Sequence, residues 1–162
     1  MGADNWYDIE NQTVNYFRQA SIEDTIPVRN VRSVGNNYTV FATETFIDEV
    51  SQEIGVDPMT FRLNYLNGVG INAGSNTPAS YGGGKRLANV LKIASGLANY
   101  GLENLGEYEG LGIAITGAEN RWAPCFLALV AKVQVDKNSA AINVKKLTCV
   151  LDVGIAINPD GI

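Results

Sequence analysis

The sequence predicts an α+β domain in which an antiparallel sheet carries helices packed on one face. Three observations lead there. Helical spacing and helix-boundary residues fill 38–100, β-type patterning fills 111–150, and a turn signal at 136–139 joins two strand candidates. Helices first and strands afterwards, without alternation, argue against a doubly wound sheet.

Residues 13–19 are β-prone, Ile22–Asn30 with Pro27 is a connecting stretch, and Arg32–Asn37 is a turn-rich loop. From Tyr38 the period changes. Val40, Glu44, Ile47 and Val50 fall on one side, Phe41, Thr45, Asp48 and Glu49 on the other, at spacings of three and four. This predicts a helix of about sixteen residues that stops near Gly55, a C′ glycine. Asp57-Pro58 supplies an N-cap followed by Pro at N1, so a second helix starts there and ends at Asn67-Gly68. Residues 68–84 are rich in Gly, Ser, Thr and Asn and form a long loop, of a length that goes with function or mobility. A third helix follows over Lys85–Tyr100, with Leu87, Val90, Leu91, Ala94 and Leu97 on its apolar face and Gly101 as its stop.

The strand candidates are Leu111–Thr116, Phe126–Val135 and Ile142–Val150, the last two joined by Asp136-Lys-Asn-Ser139 as a hairpin loop.

Composition narrows the function. The chain has 162 residues, 46% hydrophobic and 18% charged, enough for one domain with a real core. Its net charge of −5 and lack of a basic run speak against nucleic acid as a partner. The longest apolar stretch, Trp122–Ala131, falls far short of the roughly 20 residues that span a bilayer, so no membrane insertion is expected. There is no histidine, which removes every Ser–His–Asp and Cys–His nucleophile and every His-ligated metal site. Cys125 and Cys149 lack metal-ligand spacing and read as free, small, buried residues of strands. Met1-Gly-Ala-Asp shows no signal segment. Residues 1–162 read as a single domain, and the Pro159-Asp-Gly161 turn so near the last residue reads as a cut, the mark of a fragment.

Side-chain constellations add little by themselves. Gly82-Gly-Gly-Lys85 lacks the earlier glycine and the Ser/Thr of a phosphate loop, and reads as a lead-in to the third helix. Glu44, Asp48, Glu49 and Glu53 read as a solvated acidic face, with Glu44 nearest the apolar side. Asn120-Arg121-Trp122 reads as a surface loop.

Several segments, in order, resemble the molybdenum-cofactor-binding large subunit of the xanthine dehydrogenase/aldehyde oxidase family, in its isoquinoline oxidoreductase and nicotinate dehydrogenase branch. Tyr7-Asp-Ile9 is similar to its lead-in; Arg32-Ser-Val-Gly35 with Val40–Val50 is similar to its RSxG…FaxExFxDEla stretch. Gly55–Leu63 is similar to GxDPxxFRL, and Gly110–Ala114, Asn120-Arg121, Val130–Val133 and Asp152–Gly161 continue the match. Departures are an insertion-like Thr116–Glu119, the long 68–84 loop, and Val153 where several relatives carry Cys or Ala.

The resemblance implies a bacterial oxidoreductase that inserts water-derived oxygen into an aldehyde or N-heterocycle, in the cytoplasm or the periplasm. It implies molybdopterin with molybdenum, in the cytosine dinucleotide form, a small-molecule substrate, and an iron–sulfur small subunit carrying 2Fe–2S clusters as partner. It places Arg32, Ser33 and Gly35 at the cofactor and Val34 in the wall of the substrate pocket. The family's catalytic glutamate and its glutamine/glycine-rich cofactor segment have no counterpart here, so no catalytic residue and no metal ligand is assigned to this chain. A partial molybdopterin-binding domain, inactive alone, is the expectation. A non-catalytic binding or assembly module sharing the fold is the alternative.

Overall fold

In the computed structural model, which describes residues 5–13, 15, 17, 33, 35–68, 70, 83–120 and 123–162, the chain is α+β. Among the described residues, helices α1 (Asn36–Glu53), α2 (Pro58–Asn64) and α3 (Gly83–Leu97) precede strands β1 (Glu109–Asn120), β2 (Ala123–Val135) and β3 (Ile142–Asp152). The strands pair antiparallel in the order β1-β2-β3, and the helices lie on one face.

Local chemistry sets the helix ends. The Gly35 carbonyl accepts the Thr39 amide at 3.2 Å and its hydroxyl at 2.8 Å, so α1 starts two residues before Tyr38. At its other end Gly55 takes the left-handed C′ position, φ +68°, and its amide donates to the Gln52 carbonyl at 3.1 Å. The Asp57 carboxylate accepts the Thr60 amide at 2.8 Å, with Pro58 in the first turn of α2, as the cap signal predicts. That helix stops at Asn64, short of the predicted Asn67. Helix α3 starts at Gly83, where a lead-in was expected. A Cβ on Gly84 would come within 3.0 Å of the Gly68 carbonyl oxygen, to which the Lys85 amide donates at 3.3 Å. Glycine thus lets the helix start lie directly on loop backbone. Residues 69 and 71–82 of the predicted loop lie outside the described residues.

Every strand is longer than its periodicity suggests. Pairing between β1 and β2 continues from Glu109↔Gln134 to Asn120↔Ala123, so the insertion-like Thr116–Glu119 is the end of a strand. The β2–β3 hairpin is held by Asp136, whose Oδ1 accepts the amides of Asn138 at 3.0 Å and Ser139 at 2.8 Å. Residues 13, 15 and 17 of the β-prone stretch form no strand, and its other members, with the connecting stretch 22–30, lie outside the described residues.

Alternate positions of the strands face the helices. Ile113, Ile115, Phe126, Ala128 and Val130 meet Leu87, Val90, Leu91 and Ala94 of α3, with Ile47, Phe61, Trp6 and Tyr7 closing the core. Leu97, predicted on the apolar face of α3, is exposed, and Ala98 turns to the core in its place. Trp6 stands edge-on to Phe126, centroids 4.9 Å apart, and its Nε1 donates to the Gly117 carbonyl at 2.8 Å.

Candidate functional site

The loop singled out by sequence enters α1. Ser33 is exposed in the left-handed region, φ +68°, a conformation that non-glycine residues rarely hold, and its carbonyl accepts the Asn36 amide at 2.9 Å. Gly35 is buried at φ −66°, an angle open to any residue, so backbone freedom is not why glycine stands there. Arg32 and Val34 lie outside the described residues.

Behind this loop is a hollow of about 30 Å³ between the first turns of α1, the N-terminal segment and β1, lined by Tyr7, Asn36, Thr39, Glu44 and Gly117 among others. It has room for a water molecule and not for an organic ligand. The Asn36 and Thr39 amides at this end of the helix already donate to the Ser33 and Gly35 carbonyls.

The floor of the hollow is a buried ionic network, where a solvated acidic face was expected. Glu44 turns inward from α1 and accepts three donors: the Tyr7 hydroxyl at 2.8 Å, Arg62 Nε at 3.0 Å and the Ile115 amide at 2.9 Å. Arg62, 0% exposed, also donates to Asp48 Oδ1 at 2.7 Å and to the carbonyls of Pro58 and Glu44. Burial pushes the Glu44 carboxyl above its ordinary value, opposed by the Arg62 charge and the Ile115 amide. Burial and the adjacent Glu44 charge push the Tyr7 phenol well above its ordinary value, which keeps it a donor. Burial works against the Arg62 charge, but Glu44, Tyr7 and Asp48 outweigh it and raise the guanidinium further. The Tyr7 hydroxyl, Arg62 Nε and the Ile115 amide are all donors to the Glu44 oxygens, an arrangement that suits the carboxylate form.

This network is structural rather than catalytic. A carboxylate already holding three donors behind a protein wall cannot take a proton from a ligand. It ties α1, α2, β1 and the N-terminal segment together. Sequence reading missed Arg62, although it lies inside the Gly55–Leu63 motif.

Other expected features fall apart in space. Asp152 pairs with Arg86 of α3 through two bonds, Nε–Oδ2 at 2.8 Å and Nη2–Oδ1 at 2.6 Å, and the guanidinium lies over the Phe126 ring. Arg121 and Trp122 lie outside the described residues. Both cysteines are free, but Cys149 is exposed and Cys125 half-buried. No cluster of three Cys, Asp or Glu that could hold a metal occurs among the described residues, and none of their helices is long and apolar enough to cross a membrane.

No protein-family model matches the chain. It is similar to a protein of Gluconacetobacter polyoxogenes named membrane-bound aldehyde dehydrogenase (pyrroloquinoline-quinone), 34% identical over 160 residues, 99% of this chain and 21% of that one. It is also similar to the isoquinoline 1-oxidoreductase subunit beta of Brevundimonas diminuta, 24% identical over 136 residues, 84% of this chain and 15% of that one. The chain thus spans about a fifth of the first of these curated relatives and less of the second. Both names are those of oxidoreductases, one acting on aldehydes and one on an N-heterocycle.

Proposed function

We propose that this chain is part of the large subunit of a molybdenum hydroxylase of the xanthine dehydrogenase/aldehyde oxidase family, oxidising an aldehyde or an N-heterocycle with oxygen from water. The observation that carries this is the pair of relatives. One stretch of sequence is shared with an aldehyde-oxidising and an isoquinoline-oxidising protein, the two substrate classes that this family's chemistry unites. The ordered motifs from Tyr7 to Gly161 support it independently.

In this reading the molybdopterin cofactor, in its cytosine dinucleotide form, supplies the oxygen-transfer and electron-accepting chemistry, and the protein orients it. Arg32, Ser33 and Gly35 hold the cofactor at the start of α1, and Val34 walls the substrate pocket. The Glu44–Arg62 network keeps that loop in place from behind. Electrons leave to an iron–sulfur small subunit with 2Fe–2S clusters. Residues 1–162 form one domain of a longer chain, and by themselves they neither retain molybdenum nor oxidise substrate.

The name of the first relative favours a second reading, pyrroloquinoline quinone as the electron acceptor. The two are separated by analysing the full-length polypeptide that carries this sequence. Near-stoichiometric molybdenum, with oxidation of an aldehyde or of isoquinoline, is the expected result. Bound quinone without molybdenum, or a folded protein with neither, overturns the proposal.

A further inference from the structure

The sheet has a second face, opposite the one that α1, α2 and α3 cover among the described residues. From the strand register, positions 110, 112, 114, 116 and 118 of β1 share this face with the odd-numbered residues 125–135 of β2 and with 142, 144, 147, 149 and 151 of β3. None of these side chains is charged. The usual arrangement for an antiparallel sheet with one solvated face is apolar inside and polar outside. Here the covered face carries the cluster of Lys132 with Glu103 and Glu109, while the uncovered one presents aliphatic side chains. Ile142 is 69% exposed, and Val144 and Leu147 are each 59% exposed. Opposite them β1 offers only Gly, Ala and Thr, so another layer can approach its backbone closely.

We infer that this face is an interface, covered by an uncharged aliphatic layer from the remainder of a longer polypeptide that contains this chain. An apolar patch of this extent marks an interaction surface. The occupant follows from length. The matched stretch, 99% and 84% of this chain, is only 21% of one relative and 15% of the other, so in a polypeptide of their length the part outside this fold greatly exceeds the part within it. The inference rests on the proposed place of the chain within a large subunit.

Cys149 reports on the face, since it is exposed there and pairs across the sheet with Leu129. The full-length polypeptide is treated with N-ethylmaleimide, native and in urea, and Cys149 modification is followed by peptide mass mapping over a dilution series with the particle size measured alongside. The expected result is labelling at least tenfold slower in the native protein and unchanged on dilution to single copies. Labelling at the unfolded rate overturns the inference. Protection that disappears as copies separate also overturns it and makes a second copy the occupant. Molybdenum analysis of the same preparation separates this outcome from the functional reading: a protected Cys149 without molybdenum defeats the function alone, and an open Cys149 with molybdenum defeats the interface alone.

Discussion

Arg62 Nε and Glu44 Oε2, from two helices eighteen positions apart in sequence, meet at 3.0 Å with the guanidinium shut off from solvent. Removing one partner leaves the other charge buried and unpaired. Arg62→Ala is therefore expected to cost about 3–5 kcal/mol, and Arg62→Lys much of that, because one ammonium cannot reach Glu44, Asp48 and two carbonyls together. Tyr7→Phe removes one donor of three and is expected to cost about 1–3 kcal/mol. Urea midpoints of the three variants check the order. An unchanged midpoint for Arg62→Ala would mean the pair contributes nothing.

Gly117 is a packing glycine. An added Cβ would collide with the Trp6 indole nitrogen and with the Phe126 ring, both of which are held by the core. Gly117→Ala must push one ring off its site, at an expected cost of about 1–3 kcal/mol. The same substitution at Gly112, where a Cβ meets nothing within 4 Å, is the control. Melting temperatures of the two variants should separate clearly, and equal values would refute the steric account.

Arg86 gives the protein an acid-sensitive contact. The Arg86 hydrogen bonds hold the Asp152 carboxyl below its ordinary value of 3.8. A carboxyl whose folded value is lowered binds protons more readily when unfolded. Its contribution is therefore complete above pH 3.8 and is lost as the pH falls through the lower folded value. A pair this open to solvent is worth at most about 1 kcal/mol. Thermal unfolding between pH 2 and pH 5, roughly spanning this window, should show a shallower acid limb in Arg86→Ala than in the parent. Identical slopes would remove Asp152 from the acid response.

The Arg32 proposal is tested in the full-length protein. Arg32→Ala should lower turnover by orders of magnitude while the melting temperature stays within a few degrees, since an arginine in the exposed loop that the sequence predicts contributes little to stability. Turnover near the parent value takes Arg32 out of the site. A collapsed melting temperature makes it a structural residue.

Short-range chemistry was readable from the sequence alone. The Asp57-Pro58 cap, the Gly55 stop and the Asp136 hairpin each depend on residues within a few positions of one another, and each forms where the residue types say it should. Helices preceding an antiparallel sheet follow from the same local signals. Glu44 shows where that legibility ends. Helical spacing puts it beside the apolar stripe, but only Arg62 from α2, Tyr7 from the N-terminal segment and an amide of β1 turn a solvated acid into a buried anchor. The last residues of β1 likewise became strand because β2 lies alongside to accept and donate their hydrogen bonds. A buried charge needs partners to offset its lost hydration, and a strand needs a neighbour for its backbone. Both come from distant positions in the chain, so tertiary structure decided them.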